Sequence, residues 1–128
     1  MVNRYFALLI CCLFMAGRTL ADTPEFWDAD PVTVQKVDAE VAKLNFTGSS
    51  CPPMKIEDFA RNYGGFTDNN GRRMIVGQLL SLKVFPRAEP GIHIVRNPMN
   101  FADGGCSVAN VWFEADTLTL IQAVWGGR

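Results

Sequence analysis

The stretch VANVWFEADTLTLIQAVW, residues 108–125, carries the clearest structural signal in the chain. Its two halves, 108–114 and 118–125, are rich in β-branched and aromatic residues, which favours strands. The short polar connection Ala115-Asp116-Thr117 separates them, so the stretch predicts an antiparallel hairpin. In the first half, the face formed by Ala109, Val111 and Phe113 is the better candidate for the core.

Two further strands are predicted before this hairpin. Residues 73–85 are rich in Val, Ile and Leu and alternate near their end, and residues 92–96, which read Ile-His-Ile-Val-Arg, are predicted as a short strand. A helix over 72–80 is the competing interpretation of the first segment. Residues 67–71, which read Thr-Asp-Asn-Asn-Gly, have the composition of a turn rather than of a calcium-binding loop.

Two helices are predicted in the region before these strands. Asp30 is a suitable N-cap, Pro31 suits the first helical position, and apolar residues recur at helical spacing up to residue 44. A loop over 45–53 follows, and a second helix is predicted over about 56–63, with Gly64-Gly65 ending it. The predicted fold is therefore α+β, with two N-terminal helices packed on a roughly four-stranded antiparallel sheet.

The first 21 residues are typical of a secretory signal peptide. Arg4 precedes an apolar run of about twelve residues, too short for the ~20 of a membrane-spanning helix, and Thr19 and Ala21 are the small residues before the cleavage point. The remaining 22–128 form one small α+β domain, and the net charge changes from −1 to −3 because Arg4 and Arg18 are removed. We expect a periplasmic or secreted protein whose mature chain has no membrane span.

Four cysteines are present in the chain, and Cys51 and Cys106 are the two that follow the signal. Export to an oxidising compartment predicts a disulfide between them. The sequon at Asn45 is a glycosylation site only in a host that modifies it.

Composition and spacing exclude several function classes. The balance of 12 basic and 13 acidic residues does not favour nucleic-acid binding. No Cys/His pair has zinc-ligand spacing, and we expect neither metal nor cofactor. His93 is the single histidine, so a secreted hydrolase would use Cys106 with His93 or a pair of carboxylates.

The leading hypothesis is a small exported, non-enzymatic binding protein, such as an inhibitor or immunity-type partner of another exported or envelope protein. The candidate binding surface consists of aromatic strand residues and exposed basic or imidazole groups: Trp112, Trp125, His93, Arg72 and Arg73. An alternative interpretation buries both tryptophans in the core. Besides the hydrolase, an accessory subunit of an envelope or secretion assembly is the remaining alternative.

Overall fold

A computed structural model describes residues 25–44, 50–98 and 104–126 of the chain. These residues form one α-helix, six strands and two short 3-10 turns, the latter at Ile56–Asp58 and Gly105–Ser107. The elements are β1 (Glu25–Trp27), α1 (Pro31–Ala42), β2 (Phe59–Thr67), β3 (Arg73–Ser81), β4 (Gly91–Ile94), β5 (Val108–Glu114) and β6 (Leu120–Trp125). The fold is thus mixed α+β, as predicted.

Helix α1 begins as its sequence predicts. The Asp30 carboxylate accepts a hydrogen bond from the Thr33 N–H at 3.1 Å, which satisfies one of the unpaired donors of the first turn. Val34, Val37 and Val41 are fully buried against the sheet. The prediction of a helix over about 31–44 is therefore confirmed to within two residues.

The predicted second helix is wrong. Within residues 56–63 only a single 3-10 turn forms, and Phe59–Thr67 is the strand β2. Phe59 and Tyr63 are four residues apart, a spacing that places two side chains on one face of a strand as well as of a helix. β2 pairs along its whole length with β3, so the tertiary ladder overrides the local preference. Gly64 and Gly65 lie within this strand instead of ending a helix.

The sheet has six strands where about four were predicted. Its order is β1-β2-β3-β5-β6, with β4 beside β2 on the same side as β1. β4 runs parallel to β2, whereas all other pairs are antiparallel. The strand predicted over 73–85 is confirmed over Arg73–Ser81, as β3, whereas residues 82–84 form a turn; the alternative helix over 72–80 is not formed. The predicted hairpin is confirmed as β5 and β6.

Helix α1 covers one face of the sheet. The core on this side comprises the α1 valines together with buried residues of the three central strands: Phe59, Tyr63, Ile75, Leu79, Ala109, Val111 and Phe113. The predicted core face of β5 is therefore confirmed. The opposite face of β5 is also covered at its start, because Val108 and Asn110 are fully buried.

A disulfide joins Cys51, before β2, to Cys106, in the turn before β5, with their Cα atoms 5.4 Å apart. The predicted bridge is confirmed. It closes a loop of 55 positions, for which the chain-entropy model gives roughly 4 kcal/mol of stabilisation.

The predicted signal peptide and the sequon at Asn45 lie outside the described residues. In the three described ranges, no helix is both long and apolar enough to cross a membrane.

Candidate binding surface

Strand β6 forms one edge of the sheet. It pairs with β5, and none of the other strands in the described part of the chain lies against its outer side. The opposite edge is divided between β1 and β4, which have only three and four residues. β6 is therefore the longest open edge that the described residues form.

The direction of the main-chain groups in β6 follows from its pairing with β5. The Gly126 N–H donates to the Val108 carbonyl at 2.8 Å, which makes this a hydrogen-bonded pair. Such pairs alternate along an antiparallel ladder, so Val124 and Gln122 also face β5. Ala123 lies between them and directs its N–H and C=O away from the sheet.

Two of the devices that blunt natural edge strands are missing from β6. Leu120–Trp125 reads LIQAVW and contains no charged residue and no proline. Leu120 and Ile121 are 39% and 43% exposed. A register shift opposite Trp112 and Phe113 leaves Ile121 as an extra residue, so Gln122–Trp125 is the regular part of the ladder.

Trp125, at the end of this edge, also lines a cavity. Its ring packs on Phe59, with the centroids 6.0 Å apart and the planes inclined by 45°. The two rings belong to the lining of a cavity of about 280 Å³. The segment that follows Cys51 forms another wall of this cavity, which the disulfide holds in place.

The predicted binding residues do not form one surface. Register places Trp125 on the face covered by α1, beside Ala109, and Trp112 on the opposite face. Both tryptophans are partly buried. His93 lies in β4, at the other edge of the sheet, and its Nε2 is 2.9 Å from the carbonyl oxygen of Glu89. Its Nε2–H therefore donates to the main chain.

The two predicted arginines are already engaged. Arg72 forms an ion pair with Asp68 at 3.2 Å, and two main-chain N–H groups donate to the same carboxylate. This confirms the turn predicted over 67–71. The hydrogen bonds, chiefly that from the Arg72 N–H, hold the pKa of Asp68 below its ordinary value. Arg73 stacks on the ring of Trp27, 4.3 Å from its centroid.

The alternative of thiol catalysis has no free nucleophile in this structure, because the Cys106 sulfur is bonded to Cys51. His93 lies on β4 and Cys106 in the turn before β5. Among the described residues, no group of three or more His, Cys, Asp or Glu side chains could hold a metal ion.

One buried charged cluster was missed in the sequence. Asp38 on α1 accepts hydrogen bonds from the Tyr63 hydroxyl at 2.6 Å and from Arg61 Nε and Nη2 at 2.9 and 3.2 Å. Burial raises the pKa of Tyr63 above its ordinary value, and the hydrogen bond to Asp38 acts in the same direction. The carboxylate on α1 accepts all of these hydrogen bonds from residues of β2, so the cluster joins the helix to the sheet.

A second, open groove lies at the β4 edge. It has a volume of about 420 Å³ and is lined by residues of α1 and β4, including Ile92 and Ile94. These two side chains are 38% and 40% exposed. The described residues therefore expose aliphatic side chains at both edges of the sheet. Comparisons of the chain with protein-family models, with curated proteins and with solved structures found no match.

Proposed function

We propose that this protein is a small exported binding protein that adds an extended segment of another exported or envelope protein to strand β6. The observation that carries the proposal is the outer side of β6, which no other strand of the described residues covers, in a strand that contains no charged residue. In strand addition, main-chain hydrogen bonds supply affinity and the flanking side chains select the segment. An inhibitor or an immunity-type partner would bind its target in this manner.

Two arguments favour β6 over the groove at β4. β6 is the longer strand, with six residues against four in β4, and it pairs with β5 on both sides of the register shift. It also joins a solvent-exposed aliphatic pair to a preformed cavity at its end, whereas the wider β4 groove presents aliphatic side chains alongside a short parallel strand. Residues that anchor an interface are most effective when they fill pockets.

Export is supported by the Cys51–Cys106 disulfide, which is stable in an oxidising compartment. The proposed location is accordingly the periplasm or the outside of the cell. The choice between an inhibitor and an accessory subunit of an envelope assembly depends on the partner, and both would use the same edge.

The proposal is tested by affinity capture from the native envelope fraction, with two exposed isoleucines exchanged in turn. Ile121→Lys introduces a charge at the β6 edge, and Ile92→Lys introduces the same charge at the β4 edge. We expect specific capture to be lost with the first variant and retained with the second. In the complex, amide hydrogen exchange of Ala123 should be slower than in the protein alone.

Loss of capture with Ile92→Lys but not with Ile121→Lys would reject the assignment to β6. Hydrolase activity of the pure protein, without any specific partner, would reject the binding function altogether.

A further inference from the structure

The cavity at the end of β6 combines an apolar interior with a cationic rim. Its volume of about 280 Å³ lies just below the usual range for small-molecule sites, which suits one side chain better than a whole ligand. Apolar and aromatic groups predominate in its lining, which comprises Pro52, Pro53, Met54, Phe59, Cys106 and Trp125 with the polar residues Lys55, Asp58, Ser81 and Lys83.

The charges around this cavity are unbalanced. Lys55 and Lys83 are both exposed, and neither forms an ion pair with any residue in the described ranges. Asp58 is the one acidic residue among the described residues that line the cavity. Two cations against one anion give the described lining a positive charge, on a chain whose formal net charge is −1. An anionic group would therefore be attracted to this rim.

We propose that the cavity receives the C-terminal residue of the segment bound along β6, with its apolar side chain against Phe59 and Trp125 and its free carboxylate at Lys55 and Lys83. This inference rests on the proposed function. Trp125 connects the two surfaces, because it is the last residue of the edge strand and also part of the cavity lining.

A terminal carboxylate fits these positions better than an internal acidic side chain does. Successive side chains of an extended segment point to opposite faces, so an acidic residue next to the apolar one would point away from the cavity. The terminal carboxylate belongs to the same residue as the apolar side chain and lies beside it.

The same charges select the direction of the bound segment. The cavity lies at the C-terminal end of β6, so a segment whose C-terminus reaches it runs parallel to β6. An antiparallel segment that ended at the cavity would bring its N-terminal ammonium group to the lysines, which like-charge repulsion disfavours.

The test uses a probe too short to form a ladder with β6. The purified oxidised protein is titrated with N-acetyl-leucyl-phenylalanine, as the free acid and as the carboxamide, and followed by NMR at the indole N–H of Trp125. The indoles of Trp27 and Trp112 serve as internal references. We expect saturable shifts at Trp125 with the acid and at least tenfold weaker binding of the carboxamide.

Charge variants complete the design. The double variant Lys55→Gln/Lys83→Gln should weaken binding of the acid about tenfold and leave the carboxamide unchanged. Lys36→Gln removes an exposed charge from α1 and should change neither. Binding of the acid should also weaken as salt is added, because the rim is exposed to solvent.

Equal binding of the acid and the carboxamide, equal effects of the Lys36 and Lys55/Lys83 variants, or no shift at Trp125 would overturn the inference. If the acid binds as expected but no partner slows the amide hydrogen exchange of Ala123, strand addition to β6 is rejected and binding of a carboxylate at the cavity is not. If a partner slows the amide exchange of Ala123 but the acid does not shift the indole signal of Trp125, the role of the cavity is rejected and strand addition to β6 is not.

Discussion

Replacing Arg61 by methionine should destabilise the protein strongly, because it leaves Asp38 charged and buried. The two side chains are only 13% and 12% exposed and are joined by hydrogen bonds of 2.9 and 3.2 Å. Breaking a buried pair from one side costs about 3–5 kcal/mol. Tyr63 still donates to the carboxylate at 2.6 Å, so we expect the lower end, about 3 kcal/mol.

The assay is urea unfolding of the purified oxidised protein at pH 7. Adding Asp38→Asn to Arg61→Met removes the uncompensated charge and should recover about 1 kcal/mol or more. The matched control is Glu40→Gln, which breaks the exposed pair with Lys43 at 3.2 Å and should cost less than about 0.5 kcal/mol. Equal losses for Arg61→Met and Glu40→Gln would refute the view that the cluster anchors α1.

Three further predictions concern single features of the fold. Replacing Cys51 and Cys106 by alanine should lower the free energy of unfolding by roughly 4 kcal/mol, measured by urea unfolding, and a loss below about 1 kcal/mol would contradict the loop-entropy argument. The Asp68 carboxylate accepts hydrogen bonds, chiefly from the Arg72 N–H, that hold its pKa below the ordinary value. Its stabilising contribution is therefore complete above about pH 4 and is lost as the pH falls through the lowered pKa; Asp68→Asn should remove this part of the acid dependence of thermal unfolding, and an unchanged profile would contradict it. Asn110 is fully buried and its side-chain amide has no hydrogen-bond partner within the described ranges, so Asn110→Val should raise the free energy of unfolding by about 1 kcal/mol, and a loss instead would show that the amide is satisfied.

The parts of the fold that sequence patterns predicted are those set by local signals. The start of α1 is fixed by the Asp30 cap and Pro31, and both act within one turn. The hairpin of β5 and β6 could be predicted because its two strands are adjacent in sequence and are joined by a short connection. The disulfide was predicted from the two cysteines that follow the predicted signal.

The strand β2 could not be distinguished from a helix by spacing alone. Its glycines nevertheless carried a signal, because glycine inside a strand marks a place where other groups approach closely. A Cβ atom on Gly65 would lie 2.3 Å from the Trp27 ring, and one on Gly64 would lie 2.5 Å from Pro98. Because these contacts come from segments distant in sequence, the local pattern alone predicts that the same glycines end a helix.

The buried cluster around Asp38 was not predicted from the sequence. This aspartate falls on the stripe formed by Val34, Val37 and Val41, and an acidic residue on a buried helix face requires a partner. That partner, Arg61, lies in a segment predicted as helical. The order of the strands could not be predicted from the sequence either, because β3 pairs with β5, from which a strand and two loops separate it along the chain. Without that order, the open edge at β6 could not be identified.

The claim that β6 binds through its main chain is tested most directly by Ala123→Pro. Proline removes an N–H that points away from β5 and is tolerated at the outer side of an edge strand, so the free energy of unfolding should be nearly unchanged. The bound segment would lose one hydrogen bond and keep an unsatisfied carbonyl, which costs about 1–3 kcal/mol, or roughly 5- to 150-fold in affinity. We predict that loss of affinity for the captured partner; equal affinity of Ala123→Pro and the unmodified protein, with both folded, would contradict the account.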